Sequence, residues 1–269
     1  MAKNAAQNQP SQSRRDLLAQ QREAEAARQR KMKILTVGAI VLAIVIFITV
    51  VAVVIATMRE NARTNPSGDG TPGAQINPPN ATAALDGVIL NPGKAQEGAP
   101  VLEVHSDYQC GACVTYEAYF GDAINGLADK GLIQLERHQR IFRDRAIGNN
   151  SSQMGTIGAT CADTVGAYLG YDDALWTVAA SGTQVGFTTD QLRNTFPAQA
   201  GITGDDLTKF QQCFDTKATY DFVNGMEDKS TAAGVNATPT YLVNGKQVDF
   251  SQSQPTEESL LAVITAAAA

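Results

Sequence analysis

At 269 residues the chain is long enough for one large domain or two small ones, and its composition is that of an ordinary globular protein. Its net charge of −6 is unevenly placed: residues 1–33 hold eight basic against three acidic side chains, so the remainder carries −11. An acidic body behind a short basic start excludes nucleic acid as the partner, because phosphates repel it.

The basic segment 1–33 runs into ILTVGAIVLAIVIFITVVAVVIATM, Ile34–Met58, which contains no charged residue. As a helix rising ~1.5 Å per residue it would span roughly 37 Å, enough to cross a bilayer with some tilt. A buried core helix is a poor account of it, since the run is apolar on every face. A cleaved signal peptide has a shorter apolar core, of about 7–15 residues, and ends at small residues. The segment therefore reads as an uncleaved, single-pass transmembrane anchor. The basic cluster before it sets the N-terminus in the cytoplasm and everything beyond Met58 outside the cell membrane. Disulfides form and persist there, and four cysteines fit two pairs.

Residues 59–84 are rich in Pro, Gly, Asn and Ser and read as a flexible linker. Globular patterning covers residues 85–269. GVIL and APVLEVHSDY are strand candidates, the second apolar on both faces as in a covered sheet. Beyond Cys110, Tyr116, Phe120, Ile124 and Leu127 recur at helical spacing up to Gly131. LIQLERHQRIF returns to a strand pattern. Within it and just after, ERHQRIFRDR is a basic run that reads as an exposed strand and its exit loop. Between about 146 and 215 the chain reads as short helices with Ser, Thr and Asp near their starts. A helix over about 218–233 follows, then TYLV and QVDF flank Asn244-Gly245. That is a hairpin signal, because both residues accept positive φ. PTEESLLAVITAAAA closes the chain as a helix. This order, with its helical insertion before helix–hairpin–helix, is that of an α/β thioredoxin fold interrupted by a helical subdomain.

DYQCGACVTYE places Cys110 and Cys113 two residues apart. A structural zinc needs four ligands, usually as two short-spaced pairs, and Cys161 and Cys213 are solitary. Covalent haem needs a histidine after the second cysteine, where Val114 stands. A purely structural bridge would close a very small loop and constrain the unfolded chain little. A redox couple makes better physical sense. Cys110 falls where a strand ends and a helix begins, so helix N–H groups and the dipole favour a thiolate, and Cys113 can reach back to it.

SDYQCGAC, the helical insertion and GVNATPTYLVNG together resemble the DsbA-like thioredoxin family, in its membrane-anchored Gram-positive form. The resemblance covers about Leu85–Ala269. It implies that Cys110 is the nucleophile and Cys113 the resolving cysteine. It also implies that Pro239 is a cis proline facing them, with Thr238 before it pairing with an extended substrate. The chain departs from the family at Gly111-Ala112, where members usually carry proline after the first cysteine. That predicts a less extreme thiol pKa than in strongly oxidising members, resting mainly on the helix N-terminus. The glutamate that many members carry six residues before the first cysteine is Val104 here. Its neighbour Glu103 would face the other side of the strand.

Cys161 and Cys213 lie 52 residues apart in helical segments of the insertion, and the exported location favours a structural disulfide between them. In the chain-entropy model such a loop is worth roughly 4 kcal/mol. His105 and His138 fall in strand-like segments and read as packed or edge residues. The reading is a membrane-anchored oxidoreductase that oxidises cysteine pairs of exported proteins without organic cofactor or metal. The resemblance implies reoxidation by a quinone-linked membrane protein, DsbB-like or vitamin K epoxide reductase-like. A reductase or isomerase is the alternative that Thr238 and the mild dipeptide allow. A redox-inactive binding module is the other, and the intact cysteine pair argues against it.

Overall fold

The computed structural model describes residues 72–182 and 185–269, together with Thr49. The segment 1–33 and the expected anchor Ile34–Met58 lie outside the described residues, Thr49 apart. Among the described residues no helix is long and apolar enough to cross a membrane.

Five strands form one sheet: β1 (Val88–Ile89), β2 (Val101–Ser106), β3 (Gln134–Gln139), β4 (Thr240–Val243) and β5 (Lys246–Val248). Their order is β1-β3-β2-β4-β5, with β2 and β3 parallel and the other pairs antiparallel. A parallel pair needs a crossover, and α1 (Gly111–Asp129) supplies it. The hairpin between β4 and β5 turns on Asn244 (φ 48°) and Gly245 (φ 78°), the positive angles such a tight turn demands.

The insertion follows β3 as α2 (Arg143–Ile147), α3 (Ser151–Asp163) and α4 (Tyr168–Ser181). A π-helical turn, Gln191–Thr195, then runs into α5 (Phe196–Gln199), and α6 (Gly204–Asp215) completes it. The Tyr171 hydroxyl donates to the carbonyl of Leu192 (2.7 Å), so the widened turn keeps a partner for its backbone. Tyr171, Leu192, Phe196 and Phe210 are fully buried between these helices. Each such side chain stabilises the fold by roughly 1.5–3 kcal/mol. Cys161 on α3 and Cys213 on α6 are joined by a disulfide, with Cα atoms 5.7 Å apart.

Helices α7 (Tyr220–Ala232) and α8 (Glu257–Ala268) return the chain to the sheet. Alternation along the strands sends Leu102, Val104, Leu135 and Arg137 to one face and Glu103, His105, Glu136 and His138 to the other. The first face is covered by α1, whose Glu117 meets Arg137, and α8 packs beside it. The second is covered in part by α7, whose Ser230 meets His105.

Two expectations are corrected. The basic run is not exposed: β3 lies between β1 and β2, and Arg137 and Arg140 are both only 3% exposed. Arg137 makes paired bonds to Glu117 (2.7 and 2.9 Å) and Arg140 to Glu227 (2.8 and 2.9 Å). Carboxylates from α1 and α7 neutralise these guanidinium groups, which is what permits a basic strand to be central. The linker, too, does not extend to Ala84. Gly73 and Ile76 donate to the carbonyls of Thr216 and Ala218 (both 2.8 Å), and Asn80 donates twice to Asp163 (2.8 and 2.9 Å). Its polar residues bind by hydrogen bonds where apolar burial is lacking. The stretch 59–71 lies outside the described residues.

Candidate active site

β2 ends at Ser106, and a short turn carries the chain into α1. The Asp107 carboxylate fixes that turn by accepting from the backbone N–H of Gln109 (2.9 Å), while the N–H of Cys110 donates to the Asp107 carbonyl (2.9 Å). Cys110 is thereby the N-cap residue of α1, half-buried, with Cys113 one turn in and buried. The insertion clasps the same turn. Ser152 donates to Asp107 (2.6 Å), as does the N–H of Arg143 (3.1 Å), and the Gln109 amide donates to Asp144 (2.6 Å). Sequence reasoning missed this polar clasp. Its only trace was the polar cluster of Asn149 to Gln153 opening α3, which carried no information about its partner.

From the other side, the loop before β4 brings Thr238 and Pro239 to the sulfurs. The Thr238–Pro239 peptide bond is cis, and the Cys110 thiol donates to the Thr238 carbonyl (3.5 Å). The Thr238 hydroxyl is buried and faces both cysteines. The four residues singled out in the sequence, Cys110, Cys113, Thr238 and Pro239, thus share one site, and Cys161 and Cys213 lie in the insertion.

The two thiols are driven apart in acidity. Cys110 is lowered to about 5, first by the Cys113 thiol donating to its sulfur, then by the Thr238 hydroxyl and the N–H groups of Cys113 and Ala112, with burial opposing. Cys113 is pushed far up, first by the neighbouring Cys110 sulfur and then by burial. The expectation that this acidity rests mainly on the helix N-terminus is therefore corrected. The helix N–H groups contribute, but the partner thiol contributes most, and it needs no proline or histidine between the cysteines.

Burial also raises Asp107 to about 6. Beneath the turn, the Tyr108 hydroxyl donates to Asp172 (2.5 Å), which lies 3.4 Å from Arg137. This buried network links the insertion to α1 through Glu117. Beside Gly111 a largely apolar groove of about 380 Å³ is lined by Tyr108, Val114, Ile147, Val185 and Phe187. It lies between the turn that leads into α1 and the insertion.

A sheet of this order, with a dithiol heading the crossover helix and a cis proline opposite, defines a thioredoxin-fold dithiol protein. The chain belongs to the thioredoxin family: the family model described as Thioredoxin matches residues 95–265. No curated protein sequence matches it. Among solved structures it is similar to the MdbA protein of Actinomyces oris, described as a thiol-disulfide oxidoreductase. That likeness has 20% identity, TM-score 0.59, and covers 74% of this chain and 97% of that one. DsbA of Mycobacterium tuberculosis is similar at 22% identity, TM-score 0.52, covering 68% and 98%. BdbD of Bacillus subtilis is similar at 15% identity, TM-score 0.53, covering 74% and 99%. These likenesses establish a shared fold, thioredoxin with a helical insertion.

Proposed function

We propose that the chain is a membrane-anchored, extracytoplasmic thiol-disulfide oxidoreductase that oxidises cysteine pairs of exported proteins. The observation that carries the direction is the acidity of Cys110. A thiolate stabilised in the reduced enzyme makes reduction of its disulfide favourable, which is the property of an oxidant. A substrate thiolate attacks Cys110 of the closed disulfide, an S–S bond forms between them, and Cys113 leaves as a thiolate that takes up a proton. Loss of that proton to solvent is costly because Cys113 is buried, so it does not readily re-attack. A second substrate thiolate then attacks the substrate sulfur of the mixed disulfide, and Cys110 leaves as the stabilised thiolate. Two electrons pass from substrate to enzyme. The backbone at Thr238 and the apolar groove beside Gly111 hold the extended substrate meanwhile.

The uncharged run Ile34–Met58 supports the anchor, and the basic residues before it support an extracytoplasmic catalytic domain. A quinone-linked membrane reoxidase, DsbB-like or vitamin K epoxide reductase-like, would restore the disulfide. The test is refolding of a reduced model protein by the oxidised chain. Wild type restores activity to that protein, and Cys110→Ala does not. Equal refolding by both would end the enzymatic reading.

A further inference from the structure

We propose that the sheet face opposite α1 holds a divalent transition-metal site built by Glu103, His105 and His138, with Glu136 as fourth ligand, and that zinc fits it best. These residues form successive same-face rungs of the β2–β3 ladder, His105 opposite His138 and Glu103 opposite Glu136. One donor atom from each of Glu103, His105 and His138 lies within 4.8 Å of the others. Glu103 Oε2 is 3.7 Å from His105 Nε2 and 4.0 Å from His138 Nε2, and Glu136 Oε2 is 3.3 Å from His138 Nε2. Ligands about 2.0–2.1 Å from a tetrahedral ion stand roughly 3.4 Å apart, so small side-chain rotations would close this set on a metal.

Three further observations point to a ligand. His105 is 2% exposed, and its Nε2 is buried without a hydrogen-bond partner, an arrangement that costs free energy unless something binds there. Its other nitrogen, Nδ1, is held by Ser230 on α7 (3.2 Å), the contact that fixes the ring and leaves Nε2 free for a metal. The main chain at Gly87 lies against the His138 ring, where any Cβ would come within 2.8 Å of Nε2, so that ring too is fixed from outside. Two imidazoles and two carboxylates suit zinc better than calcium or magnesium, which prefer oxygen alone. Arg140 lies nearby, but its charge is matched by Glu227.

The site is distinct from the dithiol, yet tied to it. β2 runs on from His105 toward Cys110, and His105 pairs with Thr240, the residue after Pro239. A bound ion would pin the strands that present both halves of the active site.

The experiment uses the full chain in detergent with both cysteine pairs oxidised, so that no thiol competes. After chelation and dialysis against zinc, elemental analysis should find one zinc per chain, with a raised thermal midpoint. Cobalt should give the visible bands of a tetrahedral site with no thiolate charge-transfer band. Glu103→Gln, at a half-buried position that tolerates the change, should weaken zinc at least tenfold, and His138→Gln should do the same. Failure of the oxidised wild type to retain zinc overturns the site, as does unchanged affinity in both variants. Refolding activity is scored separately, so loss of the oxidase reading would leave this result standing.

Discussion

Cys113→Ala removes the largest single cause of the acidity of Cys110. Wild-type Cys110, lowered to about 5, is almost wholly thiolate at neutral pH, whereas an ordinary cysteine with pKa near 8.5 is about 3% ionised. A hydrogen bond to a charged acceptor is worth about 1.5–3 kcal/mol, and about 1.4 kcal/mol moves a pKa by one. Cys110 is only half-buried, so solvent screening favours the low end. The midpoint should then rise by about one pH unit in the variant. The assay is the pH dependence of alkylation of the reduced chain. In wild type one thiol should react with a midpoint near 5, since buried Cys113 is pushed up and shielded. A wild-type midpoint near that of free cysteine, or one unmoved by Cys113→Ala, would refute the account of how this site makes a thiolate.

Replacing Cys161 and Cys213 by serine should cost about 4 kcal/mol for a 52-residue separation, read by chemical denaturation, and leave the Cys110 alkylation midpoint in place. Coincident denaturation midpoints would contradict this. Glu227→Ala leaves the Arg140 guanidinium buried without its counter-ion and should destabilise by about 3 kcal/mol, whereas an exposed basic strand would lose almost nothing. Asp107 is raised to about 6 by burial, above its unfolded value near 3.9, so the native state binds protons better than the unfolded chain. Stability of the oxidised form should therefore rise as pH falls from 7 toward 4. Asp107→Asn should reduce that rise, with Asp172, also raised to about 6, retaining its own share. A pH dependence identical in wild type and variant would remove the Asp107 contribution.

The parts of this fold that were legible in the sequence are those written in local periodicity. Helical spacing through Tyr116, Phe120, Ile124 and Leu127, and Asn244-Gly245 between two short strands, each describe one element without reference to another. The dithiol was legible because two cysteines at a strand-to-helix junction carry their meaning in their spacing. The ERHQRIFRDR run was misread because polarity shows a side chain's need for a partner but not where the partner lies. Glu117 and Glu227 come from α1 and α7, 20 and 87 residues from Arg137 and Arg140. The clasp of Gln109 by Asp144 fails to show for the same reason, as does the docking of Asn80 on Asp163. The His-Glu ladder required strand register, since His105 meets His138 only once β2 and β3 are paired in parallel. The source of the Cys110 acidity was not legible, because the dominant contact comes from the Cys113 thiol and depends on how one helical turn places the two sulfurs.

The reduction potential of the Cys110–Cys113 couple, measured against a glutathione series at neutral pH, tests the central claim most directly. Thioredoxin lies at about −270 mV and a strong DsbA oxidant at about −120 mV. An oxidase built on a thiolate of the acidity seen here should lie on the oxidising side, less negative than about −200 mV. A value at or below that of thioredoxin would contradict it and make the chain a reductase.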